Sequence, residues 1–105
     1  MKIILNMIVK NEQDVIERCL LSCLPLIDYF VIVDTGSTDD TVDRIQRFAE
    51  HHGLAGRTLS HKWVNFEHNR NLALTAALDR ADKGDYIFFM DADDVLETPP
   101  ALVAD

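Results

Sequence analysis

Four short apolar runs alternate along the chain with segments whose apolar residues recur every three or four positions. Ile3 to Val9 is the first run, rich in β-branched residues, and it stops at Lys10-Asn11-Glu12. Val15, Ile16, Cys19, Leu20, Cys23 and Leu24 then follow at helical spacing, with Asn11 placed to cap the helix and Pro25 to stop it. Tyr29-Phe30-Val31-Ile32-Val33 is apolar at every position, as a strand covered on both faces requires, and Asp34 closes it. Thr35-Gly36-Ser37-Thr38-Asp39-Asp40 reads as a tight turn into a second helix, capped by Ser37 or Thr38. Val42, Ile45, Phe48 and Ala49 mark its buried face, and Gly53 ends it. Arg57 to Val64 is a weaker strand pattern resting on Thr58, Leu59, Trp63 and Val64. A third helix is expected from about Glu67 to Asp82, carrying Leu72, Ala73, Ala76, Ala77 and Ala81, with Gly84 as its stop. Tyr86 to Met90 forms the last apolar run.

This β-α-β-α-β-α-β order specifies an α/β fold, an open and mainly parallel sheet with helices on both faces, built as one domain over residues 1–105. Ligands of such sheets bind beyond the carboxyl ends of the strands. There Lys10 to Glu12, Asp34 to Ser37 and Asp91 to Asp94 should converge.

Composition narrows the partners. Eighteen acidic against ten basic side chains leave a formal net charge of -8, which opposes general binding to nucleic acid or to anionic lipid. The acids concentrate at Thr38 to Asp43 and Asp91 to Glu97, and a carboxylate cluster aimed at a phosphorylated ligand needs a cation between them. Cys19 and Cys23 lie four apart on an apolar helical face and read as core residues rather than as a disulfide or a metal pair. His51, His52, His61 and His68 share no metal-ligand spacing, and only His68, close to Arg70, merits a test. Asn6 and Lys10 interrupt the opening apolar run, so it reads as a strand and not as a secretory signal. No stretch approaches the roughly 20 apolar residues of a membrane span, and a cytoplasmic location is expected.

Asp91-Ala92-Asp93 follows a buried strand directly, with a small residue between two carboxylates. Left alone they repel; a hard cation such as Mg²⁺ or Mn²⁺ takes one or two carboxylates and completes its shell with phosphate oxygens and water. A bare Asp-x-Asp is most often a solvated turn. Its place after an apolar strand, with Asp34-Thr35-Gly36-Ser37-Thr38-Asp39 upstream, makes the combination specific.

Met7-Ile8-Val9-Lys10-Asn11-Glu12, Val33-Asp34-Thr35-Gly36-Ser37-Thr38-Asp39 and Phe89-Met90-Asp91-Ala92-Asp93-Asp94 together resemble the motifs of the family 2 glycosyltransferases, which share the GT-A fold. The resemblance runs from residue 3 to about 97 with the motifs in family order. It implies the nucleotide-sugar-binding half of such an enzyme, with Val9, Asn11, Glu12, Asp34, Gly36, Arg70, Asp91, Ala92 and Asp93 near the nucleotide sugar. Asp34 lies in the segment that contacts the base, and Asp91 with Asp93 would hold the metal against the diphosphate. Thr35 stands where the family has a second aspartate, so that carboxylate contact is absent; uridine is the expected base. Asn69-Arg70-Asn71 is similar to the family's Ala-Arg-Asn segment, and Arg70 is either a phosphate donor or a solvated helix charge. Glu12 is either a second carboxylate near the nucleotide or a favourable first-turn acid. Trp63 reads as core or partial core rather than as part of the site.

The family resemblance also implies an inverting transfer to an unknown acceptor, which needs a general base. That base normally lies beyond the metal motif, and only 12 residues follow Asp93. The acceptor half and its base are therefore expected outside this chain, and the 105 residues are expected to bind nucleoside diphosphate with metal while transferring sugar poorly or not at all. Two other readings stay open. Asp91-Ala92-Asp93-Asp94-Val95 also fits the nucleophile motif of an aspartate-dependent phosphatase. A non-catalytic interaction domain, self-associating through surface bared by truncation, is the third.

Overall fold

In the computed structural model, which describes residues 1–96, four strands form one sheet in the order β3-β2-β1-β4, and every pairing is parallel. The strands are β1 (Ile3–Val9), β2 (Tyr29–Asp34), β3 (Ala55–Ser60) and β4 (Tyr86–Phe89); the helices are α1 (Ile16–Cys23), α2 (Thr41–His52) and α3 (Phe66–Leu78). The chain steps outward from β1 to β2 to β3, then returns through α3 to place β4 on the other side of β1. That reversal opens a crevice at the carboxyl ends of β1 and β4, where doubly wound sheets receive ligands.

Side chains alternate between the two faces. Leu5, Met7 and Val9 of β1 join Phe30 and Ile32 of β2 in the main core, closed by Ile16, Cys19, Leu20 and Cys23 of α1 and by Ile45 and Phe48 of α2. The intervening Ile4 and Val31 meet Ala77 of α3 on the opposite face. Small residues at Ala73 and Ala77, both fully buried, let α3 lie close to the sheet. Asn6 sits buried in that layer, and its amide donates to the Val31 carbonyl at 3.0 Å and the Ala73 carbonyl at 2.9 Å, pinning α3 to β1 and β2. At the start of β3, Gly56 faces Phe30 so closely that a Cβ would come within 2.0 Å of the ring. Far from the ligand edge, the Asp85 carboxylate accepts from the amides of Lys2 and Asp82, each at 2.8 Å, and these bonds hold its pKa below the ordinary aspartate value.

Several local expectations are corrected. Asn11 does not cap α1, which begins five residues later without a side-chain cap; its φ of 52° is left-handed and its side chain turns toward the β2–α2 loop. Ser37 and Thr38 do not cap α2, which starts at Thr41 after Asp40. The third strand is Ala55–Ser60, so Trp63 and Val64 fall in the loop after it, both exposed. Helix α3 ends at Leu78, and Ala81 packs against the smaller core from a turn rather than from the helix. Cys19 and Cys23 are free and buried, as expected. Glu97, assigned to the acidic cluster from the sequence, lies outside the described residues.

Candidate functional site

Because all four strands are parallel, their carboxyl ends share one edge, and the three polar segments meet there. Val9 pairs with Asp34 across β1 and β2, while the Met90 amide reaches the Asn6 carbonyl from the β4 side. Asp34 and Asp91 thus flank the end of β1, roughly 10 Å apart by two strand spacings.

The loops after β1 and β2 are fastened together residue by residue. The amide of Asn11 donates to the Ser37 hydroxyl (2.9 Å), that of Glu12 to the Thr41 hydroxyl (2.8 Å), and that of Gln13 to the Asp39 carboxylate (3.4 Å). In return, the Asn11 side-chain oxygen accepts from the Thr38 amide at 2.8 Å, and that of Gln13 from the Asp40 amide at 3.1 Å. The Asp34 carboxylate is buried and accepts from the amides of Gly36 (3.1 Å) and Ser37 (3.0 Å) and from the Ser37 hydroxyl (2.5 Å). Asp34 therefore organises its own turn, and Gly36, at φ 119°, supplies a backbone shape that L side chains rarely adopt. Thr35 is buried, and its hydroxyl donates to the Val9 carbonyl at 3.2 Å. Burial would raise the Asp39 carboxyl, but bonds from the Thr41 hydroxyl, the Thr41 amide and the Gln13 amide hold it below its ordinary value.

Past β4, Asp91, Asp93 and Asp94 each offer a carboxylate oxygen within 4.8 Å of the others, and all three are exposed. Ala92 between them is buried in the main core, which turns its neighbours outward. Glu12 faces this group: burial first, then the negative charges of Asp93, Asp39 and Asp91, raise its carboxyl above the ordinary glutamate value. Such crowding of acids is relieved by a cation. Arg70, on α3, stacks its guanidinium 4.0 Å above the Phe89 ring, two residues before Asp91.

Ile8, Val9, Lys10, Glu12, Thr35 and Trp63 line a cleft of about 290 Å³ on the same edge. Trp63 is held there by Asn69, a fully buried residue of α3 whose side-chain oxygen accepts from the Val64 amide (2.9 Å) while its nitrogen donates to the Lys62 carbonyl (3.1 Å). Sequence reasoning set Trp63 aside and read Asn69 only as a neighbour of Arg70. The signal that could have found both is an asparagine at a buried helical position shortly after an aromatic loop. The sequence places Asp94 in the acidic Asp91 to Glu97 segment but not with Asp91 and Asp93 as a metal ligand, whereas its carboxylate lies beside theirs.

Residues 5–101 match the family model described as Glycosyl transferase family 2. The chain belongs to that family. Membership in glycosyl transferase family 2 leaves the phosphatase-like reading without support. Over 94 residues the chain is 36% identical to a TPR repeat-containing protein of Synechococcus elongatus, covering 88% of this chain and 20% of that protein. TarS of S. aureus, solved as residues 1–349 in complex with UDP, superposes with a TM-score of 0.73 at 22% identity, covering 99% of this chain and 31% of TarS; it shares the fold. Glucosyl-3-phosphoglycerate synthase of Mycobacterium tuberculosis, solved with Mn²⁺, UDP and glucosyl-3-phosphoglycerate, superposes with a TM-score of 0.57 at 25% identity, covering 87% of this chain and 33% of that one. The chain thus spans about a fifth of the curated relative and about a third of these structures. Among the described residues no helix is long and apolar enough to cross a membrane.

Proposed function

We propose that this chain is the nucleotide-sugar-binding part of a cytoplasmic, inverting glycosyltransferase that uses a uridine diphosphate sugar and a divalent cation. The observation that carries the reading is the group of Asp91, Asp93 and Asp94 carboxylates within 4.8 Å of one another at the sheet's switch point, facing a Glu12 whose acidity is weakened by burial and then by the charges of Asp93, Asp39 and Asp91. The donor set is all carboxylate and fits Mg²⁺ or Mn²⁺ rather than a soft metal. Asp91 and Asp93 would hold the cation, which supplies charge compensation for a departing diphosphate. A relative of the same fold solved with Mn²⁺ and UDP supports this choice of ligand.

The chain's own groups then divide the work. Trp63 and Ile8, with Val9 and Thr35 beside them, line a cleft suited to a base, while Asp34, Gly36 and Asn11 fix the loops that frame it. Arg70, oriented by Phe89, presents donors that match phosphate oxygens. No described residue is assigned as the base that deprotonates the acceptor. Trp63 is the sole tryptophan, so its fluorescence reports the cleft directly. UDP with Mn²⁺ should quench it, and GDP should do so less. Quenching by UDP that survives removal of Mn²⁺ by chelation would overturn the metal assignment; an equal response to both nucleotides would overturn the base assignment.

A further inference from the structure

The acidic loop lies beyond the last ladder bond of β4, so the sheet does not hold it. Its carboxylates make no hydrogen bond among the described residues, and their mutual repulsion favours spreading apart. Helix α1 opposes this at three backbone points. The Arg18 guanidinium donates to the Asp93 carbonyl at 3.2 Å, the Cys19 thiol approaches the Asp91 carbonyl at 3.6 Å, and the Ser22 hydroxyl accepts from the Leu96 amide at 2.9 Å. Ser22 is itself oriented by donating to the Cys19 carbonyl at 2.7 Å, which aims its lone pair at Leu96. The spacing i, i+1, i+4 brings all three to one side of the helix. None of the three bonds uses a carboxylate oxygen, so the ligand atoms stay free.

We propose that Arg18 and Ser22, with Cys19 between them, are positioning residues that keep the Asp91–Leu96 loop in its cation-binding arrangement. This rests on the metal reading above. Charge and positioning predict opposite signs at Arg18: removing a cation beside an acidic site should tighten binding of a divalent ion, whereas releasing the Asp93 carbonyl should weaken it.

Calorimetric titration of Mn²⁺ in saturating UDP separates these effects when run beside thermal melts on wild type, Ser22→Ala, Ser22→Thr and Arg18→Ala. Ser22→Ala should weaken Mn²⁺ by about two- to ten-fold, the equivalent of one neutral hydrogen bond. Ser22→Thr, which keeps the hydroxyl, should restore it, and Arg18→Ala should also weaken it with an unchanged melt. If Ser22→Ala lowers melting and affinity together, the exposed Arg18 decides. Wild-type or tighter Mn²⁺ binding by Arg18→Ala and Ser22→Ala would overturn the positioning role alone. Failure of the wild-type chain to bind Mn²⁺ with UDP would overturn the metal reading, and the positioning role with it.

Discussion

Replacing Asn69 by alanine should loosen the one aromatic wall of the cleft while leaving the sheet folded. Asn69 is fully buried and clamps the loop on both sides of Trp63, through the Val64 amide at 2.9 Å and the Lys62 carbonyl at 3.1 Å. Losing two such bonds costs about 1 kcal/mol each, and the small void left behind brings the total to about 2–3 kcal/mol. Against a stability of roughly 5–15 kcal/mol the domain survives. At about 4–8 °C per kcal/mol, melting should fall by about 10–20 °C. Circular dichroism gives the melt, and acrylamide quenching of Trp63 at 20–25 °C, roughly the temperature to which these free energies refer, gives the loop. Quenching of the variant should rise well below its melting point, and its UDP affinity should drop in parallel. A variant that melts lower yet keeps wild-type quenching and UDP affinity would refute the idea that Asn69 sets the position of Trp63.

Gly56→Ala drives a Cβ into the Phe30 ring and should cost about 1–3 kcal/mol by overpacking, read by chemical denaturation; an unchanged midpoint would contradict so close an approach of β3 to Phe30. Asp34→Ala strips three bonds from the turn at Gly36 and Ser37 and should speed hydrogen exchange at those amides while weakening UDP binding. Burial and the charges of Asp93, Asp39 and Asp91 raise the Glu12 carboxyl, so the folded state holds that proton more tightly than the unfolded chain does. Stability then falls as pH climbs from the ordinary glutamate range through the raised value, and Glu12→Gln should melt higher than wild type at neutral pH, with the gap closing in acid. Asp85 has the opposite sign: its contribution is present above the ordinary aspartate value and lost as pH falls through the lowered one, so Asp85→Asn should melt lower than wild type at neutral pH and converge with it in acid.

Strands β1, β2 and β4 were legible to within a residue because each is covered on both faces or sits beside one that is, and continuous apolar runs record that burial. Strand β3, like β4, lies at an edge of the sheet, but Ala55 and Gly56 at its start are exposed, and the aromatic pattern that drew the reading toward Trp63 belongs to the following loop. Asn11 had the chemistry of a helix cap, but its partner, Thr38, lies 27 positions away, and a purely local rule cannot see it. Ala81 kept helical spacing past the end of α3 because a turn there packs it against the smaller core of Ile4, Val31 and Ala77. In the site, Asp91 and Asp93 were readable as a motif only in combination with the apolar strand before them and the Asp34 to Asp39 segment upstream, since an acidic pair alone is most often a solvated turn. The cleft at Trp63 was not readable, because it depends on a contact made by Asn69 from another element.

The cation bridge is tested most directly by titrating UDP calorimetrically into the chain with Mn²⁺ and with chelator, for wild type and for Asp91→Asn combined with Asp93→Asn. Binding should require Mn²⁺ in the wild type and disappear in the double variant, whose melting temperature should stay equal or rise as repulsion at the rim is relieved. UDP affinity that is the same with and without Mn²⁺, and the same in the double variant, would contradict a metal site at Asp91 and Asp93.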